Sequence, residues 1–187
     1  MLKRLFIIFL VALFLPLNLS FAKTPPSVST PTPTPEAEYD FSKMTTYEMF
    51  WPIVAGKVPG DRFYSLKLWR DKLLGYLYVS PLKKSEYFKQ LANKRLLEAE
   101  KLLEIGRTSY FSQTLQQSLD YLEKGLKLLS SAHESESHLW LKGEYEKDLQ
   151  KHLVVLERMK EKGEENQKAV VEESIGKINN LIKKQKF

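Results

Sequence analysis

From Asp61 onward, apolar residues return every three or four positions, the spacing that lines one face of an α-helix, and they never alternate with period two as a half-buried strand requires. No proline follows Pro81. A first helix is predicted to begin at Pro59-Gly60-Asp61, a turn followed by Asp61 as N-cap, with Phe63, Leu66, Leu73, Leu74 and Leu77 as its core-facing arc. A second starts at Ser80-Pro81, with proline at the first helical position, and ends near Gly106; Phe88, Leu91, Ala92, Leu96, Ala99, Leu102 and Leu103 share its inner face. A third runs from about Thr108 to Ser131. Its leucines at 115, 119, 122, 126 and 129 form a coiled-coil-like seam, used either inside the chain or between two copies in a homodimer. A fourth covers about Ser137 to Gly163 through Leu141, Tyr145, Leu149, His152, Leu153, Leu156 and Met159. A fifth carries Val170, Val171, Ile175, Ile178, Leu181 and Ile182, and Gly163 either kinks or separates the last two. The expected fold is all-α: an antiparallel helical bundle of four to five helices with an extended N-terminal strap.

The strap is Tyr39 to Gly60, which is apolar without period. Pro52 prevents one continuous helix there, so a short helix at Thr45–Phe50 followed by extended chain is expected. Ahead of it, residues 23–38 alternate Thr and Pro, a composition that favours an extended, solvated linker. Residues 1–22 combine Lys3-Arg4, an apolar run from Leu5 to Leu15 and a Ser20-Phe21-Ala22 exit, the pattern of a secretory signal. Cleavage after Ala22 is the expected outcome and an uncleaved membrane anchor the alternative. The chain thus divides into a signal peptide (1–22), a linker (23–38) and a bundle domain (39–187). It is expected to lie outside the cytoplasm, secreted or tethered through residues 5–22.

Charge adds little to this picture. The formal net charge is +6, and acids and bases are interleaved, as in Glu157-Arg158-Met159-Lys160-Glu161-Lys162. Interleaving describes solvated helix faces and argues against nucleic acid as a partner. The basic end, Lys183-Lys184-Gln185-Lys186, reads as a solvated tail whose alternative partner is anionic lipid or wall polymer. There is no cysteine, so disulfides, thiolate metal sites, a cysteine nucleophile and a lipobox are excluded.

Candidate chemistry centres on Arg95, which falls among Phe88, Ala92, Ala99 and Leu102 on an apolar face. A guanidinium there must find carboxylates, because an unpaired buried charge costs several kcal/mol. Glu98 stands one turn on and Asp71 is the cross-helix candidate. The predicted structural cluster is therefore Arg95, Asp71 and Glu98, edged by Lys67 and Tyr64; its main role is to fix helix register, with ligand binding as the alternative. His152 lies within an apolar arc and reads as a core histidine. His133 and His138 are five apart, a spacing that does not stack ligands on one helix face, so no metal or cofactor is expected. Trp51, Trp69, Tyr76 and Tyr78 are expected to pack in the core or at helix ends. An exposed Trp51–Trp69 pair would instead suggest a groove for a sugar chain or hydrophobic peptide. There is no Gly-x-Ser-x-Gly elbow, no phosphate loop and no His-Glu-x-x-His.

Three blocks carry a family likeness: Pro59-Gly60-Asp61-x-x-Tyr64-x-Leu66-Lys67 with Asp71, Leu91-Ala92-x-x-Arg95-Leu96-x-Glu98-Ala99, and His152-Leu153-x-Val155-Leu156. Together they resemble the bacterial helical family called domain of unknown function 5667, over roughly residues 39–181. The resemblance implies a helical fold and an exported or membrane-tethered protein, since members are typically so placed and some occur in proteins associated with anti-sigma factors. It implies no activity. The function expected is a non-enzymatic interaction or structural module of the cell envelope, with a protein or envelope component as partner. The alternatives are a ligand-binding bundle with a pocket near the first two long helices, and a hydrolase of envelope polymer, for which only scattered carboxylates speak.

Overall fold

A computed structural model describes residues 40–185. The expected signal segment and Thr/Pro linker lie outside the described residues. After a 3-10 turn at Phe41–Lys43 come α1 (Thr46–Phe50), α2 (Tyr64–Leu77), α3 (Pro81–Glu104), a 3-10 turn at Thr108–Tyr110, α4 (Phe111–Ser131), α5 (Glu136–Lys162) and α6 (Glu165–Gln185). No strand occurs among the described residues. None of their helices is long and apolar enough to cross a membrane.

Local chemistry sets most of the boundaries. Thr45 and Glu48 form a reciprocal capping box at the start of α1. Pro81 occupies the first turn of α3, although the hydroxyl of Ser80 makes no capping bond. The same helix ends on Gly106 with φ 70°: the Arg107 N–H reaches the Leu102 carbonyl (2.9 Å) and the Gly106 N–H that of Leu103 (3.2 Å). That pair of bonds is a Schellman ending, which needs a left-handed residue at this place. Ser135 caps α5 by accepting from the His138 N–H. Gly163 separates α5 from α6 rather than kinking them: its backbone is extended (ψ 157°), and α6 turns back on α5, burying Val171 and Ile178 and bringing Glu172 within 2.8 Å of Lys160.

The core lies among α3, α4, α5 and α6. The Ser85 hydroxyl donates to the Gly125 carbonyl (2.8 Å) and the Ser118 hydroxyl to that of Ala92 (2.8 Å), so the start of α3 lies beside the end of α4. The Leu129 carbonyl meets His138, and Ser118 meets His152, which sets α5 running back along α4. The seam of Leu115, Leu119, Leu122, Leu126 and Leu129 is buried inside the chain. Fully burying one such leucine contributes about 1.5–3 kcal/mol. Where α4 crosses α3 and α5, the Tyr145 hydroxyl donates to the Ser85 carbonyl (2.7 Å), and a Cβ on Gly125 would run into that hydroxyl. The segment before α2 closes over the far end of this core. Met49, Phe50 and Val58 are buried, Arg158 donates to the Met44 carbonyl (2.6 Å), and Thr46 donates to Glu100 (2.9 Å).

Candidate functional site

Helix α2 is built the other way round from its neighbours. The sequence pattern places Phe63, Leu66, Leu73, Leu74 and Leu77 toward the core, yet all five are exposed, and only Asp71 and Gly75 of this helix are buried. Trp69 (63 % exposed), Tyr76 (70 %) and Trp51 (65 %) are likewise on the surface, which corrects the expectation of core packing for the two tryptophans, whereas Tyr78, at the helix end, packs on Tyr87 at 5.0 Å. At ~100° per residue, Leu66, Trp69, Leu73, Tyr76 and Leu77 fall in one arc of about 100°, opposite Tyr64, Asp71 and Gly75. Periodicity reports that a helix has an apolar stripe. It does not report which stripe meets the protein.

What holds α2 down is charge. The Arg95 guanidinium, fully buried on α3, donates to Asp71 (2.8 Å) and to both oxygens of Glu98 (2.6 Å each). The Tyr64 hydroxyl donates to Glu98 (2.8 Å), and Lys67 pairs with Glu98 (2.5 Å). The structure thus brings Arg95, Asp71, Glu98, Lys67 and Tyr64 into one network. Sequence reasoning missed its outer members: Arg70 (2.8 Å) and Lys94 (3.7 Å) also reach Asp71, and the Tyr87 hydroxyl donates to the Asp71 carbonyl (2.7 Å). Lys94 stands next to Arg95 in the chain, a usable signal; Tyr87 reads only as another aromatic. Lys67 also ties α2 to the preceding segment by donating to the carbonyls of Ala55 (2.8 Å) and Lys57 (2.6 Å). Burial pushes Lys67 and Lys94 below the ordinary lysine range against the pull of Glu98 and Asp71 respectively. Burial, with the Glu98 charge next, raises the Tyr64 hydroxyl; burial and then the Asp71 charge raise Tyr87 to about 12.

Asp61 is not the N-cap of α2. That position belongs to Phe63, whose backbone is left-handed (φ 68°) and which makes no side-chain cap. The Asp61 carboxylate is engaged two residues too early, accepting from the Val58 N–H (2.9 Å) and from Arg107 (2.6 Å). These bonds, the Val58 N–H first, hold it below the usual carboxylate range. Asp61 therefore staples the loop before α2 to the loop after α3.

A second buried polar group lies between α3 and α5. Asp148 accepts from Asn93 (2.6 Å) and pairs with Lys89 (3.2 Å) and Lys151 (3.2 Å). Burial pushes Asp148 up, but these partners outweigh it and leave it below the usual range. His152 is fully buried, with Nδ1 2.7 Å from the Asp148 carbonyl and Nε2 3.4 Å from the Ser118 hydroxyl. A carbonyl only accepts, so Nδ1 carries the proton. Burial depresses the pKa of the ring, and Phe50 packs edge-on to it at 5.7 Å. Ser118, His152 and Asp148 do not make a nucleophilic relay: the serine proton is committed to Ala92, the histidine meets a backbone carbonyl rather than the carboxylate, and all three are buried. His138 Nε2 lies 3.1 Å from the Leu129 carbonyl, a contact within the helical hairpin.

Open grooves flank α2. One, about 320 Å³, is lined by Ile53, Val54, Arg70, Leu74, Tyr87 and Lys94 among others. The other, about 530 Å³, lies between α2, α3 and α4 and includes Lys72, Tyr76, Lys84, Phe88, Tyr121 and Lys124. Fold and site together define a class: an all-α protein whose packed helices carry one further helix, ion-paired inward and apolar outward. The family model described as "Domain of unknown function (DUF5667)" matches residues 56–185, and the chain belongs to that family. No curated protein and no solved structure matches it.

Proposed function

We propose that this chain is an exported, non-enzymatic interaction module of the bacterial cell envelope, in which α3 to α6 are the scaffold and α2 is the docking face. The observation that carries the reading is the inverted polarity of α2, which leaves Leu66, Trp69, Leu73, Tyr76 and Leu77 in water. A contiguous exposed apolar patch of this kind commonly marks an interaction surface. Export is supported by the signal-like pattern of residues 1–22. A non-enzymatic role is supported by the two buried polar groups, whose charged members are engaged by one another.

Hydrogen–deuterium exchange of the chain with and without the envelope fraction of its own cells tests the docking face. Protection confined to residues 66–79 is expected; protection elsewhere with α2 unchanged would overturn it. A reporter fused after residue 38 that stays inside the cell would remove the export claim.

The 530 Å³ groove supports a second reading, a ligand-binding bundle, because three lysines and two tyrosines there face an apolar floor. A soluble ligand in that groove would protect α2 and residues 117–124 together.

A further inference from the structure

The charges around the exposed face of α2 identify what it meets. Residues 62–85 contain six cations, Arg62, Lys67, Arg70, Lys72, Lys83 and Lys84, of which Lys67 is turned inward onto Glu98, and a single acid, Asp71. That acid is 3 % exposed and already paired with Arg95, so no carboxylate of this stretch reaches the surface. On the helical wheel Lys72 flanks the apolar arc on one side and Arg70, whose guanidinium also pairs with Asp71 (2.8 Å), on the other, both exposed. The arc itself holds leucine, tryptophan and tyrosine, and the chain continues past the helix into exposed Tyr78 and Val79. An apolar stripe with aromatic members, bordered on both edges by cations, is the pattern of a helix lying in the plane of a membrane interface. Tryptophan and tyrosine favour the headgroup level, and lysine and arginine extend from the rim toward phosphate. The inner side of α2 is ion-paired to α3, so the helix already has the orientation that such a surface needs.

We propose that the outward face of α2 seats on a bilayer surface bearing anionic lipid, with Leu66, Trp69, Leu73 and Leu77 in the acyl boundary and Lys72 on headgroup phosphates. This names the partner of the docking face and rests on that reading.

The test uses the full chain with Trp51→Phe and Trp140→Phe, which leaves Trp69 as the sole tryptophan. Its emission reports α2 and is insensitive to whether the N-terminal apolar run also enters lipid. Phosphatidylcholine vesicles with and without phosphatidylglycerol are titrated, and brominated lipid is used as quencher. A blue shift with quenching on the anionic vesicles, weakened by salt, is expected. Leu73→Ser with Leu77→Ser lowers the Trp69-reported partition by at least about tenfold. Lys72→Gln lowers it roughly fivefold. Both variants are expected to melt as the parent does, because these side chains are exposed. Unchanged Trp69 emission on both vesicle types overturns the proposal, as does an equal shift on neutral vesicles. Light scattering that reveals a dimer dispersed by Leu73→Glu, with no lipid response, would make a second copy the occupant; the lipid proposal then falls and the docking face stands. If vesicles, a second copy and the envelope fraction all leave α2 unprotected, both fall.

Discussion

Helices α2 and α4 are both amphipathic, and they attach to α3 by opposite means. Helix α4 buries a leucine seam, with only Thr114 and Ser118 as polar members of its inner face, and leaves its charged residues in water. Helix α2 buries an aspartate against Arg95 and Tyr87, and leaves Leu66, Leu73, Leu74 and Leu77 exposed. Apolar burial is non-directional and adds up with area, so α4 is held along its length. Ion pairs are directional and share few atoms, so α2 is held at points: Tyr64, Lys67 and Asp71. A charged anchor thus fixes the register of a helix while freeing its apolar side for something else.

The two helices differ most when their anchors are removed. Replacing Arg95 by Met leaves Asp71 and Glu98 buried without their shared cation, which is expected to cost about 3–5 kcal/mol in chemical denaturation. Amide exchange across residues 64–77 should accelerate more than across α4; an unchanged midpoint would contradict the ion-paired anchor. Leu122→Ala, which empties a fully buried position of the seam, is expected to cost about 2–5 kcal/mol. Here the loss should appear across α3, α4 and α5 together. Gly125→Ala pushes a methyl into the Tyr145 hydroxyl and should cost roughly 1–3 kcal/mol, with Tyr145→Phe recovering part of it.

Acid sharpens the contrast less. His152 has a folded pKa below its ordinary 6.5, so the unfolded chain takes up its proton first. Its contribution to stability is complete above about pH 6.5 and is lost as pH falls toward the depressed value. Asp148, also depressed, keeps its contribution above 3.8 and loses it at lower pH. Urea midpoints followed from pH 8 to pH 5 should fall, and His152→Leu should flatten that fall. The smallest effect is at the exposed face: Leu73→Ser should move stability by no more than about 0.5 kcal/mol. A large loss there would mean that α2 is packed through its leucines after all.

Much of the architecture was legible in the pattern of residues. The leucines of α4, the proline start of α3 and the glycine at its end act through local spacing and backbone preference, which a single chain carries openly. Arg95 was legible too, because a cation amid Phe88, Ala92 and Ala99 requires carboxylates wherever the helix goes. The error at Asp61 was one of competition. An aspartate after Pro-Gly suits a cap, but Arg107, 46 positions away, and the Val58 N–H take its carboxylate instead.

Local spacing and backbone preference dictate that these residues form helices, where α1, α3 and α4 begin or end, and that Arg95 must be paired. Which side of α2 faces inward is set by packing against α3. Periodicity measures segregation of apolar from polar side chains, and segregation has no sign. The sign came from the buried guanidinium on α3, which drew Asp71 inward and so turned Leu66, Trp69, Leu73 and Leu77 toward the solvent.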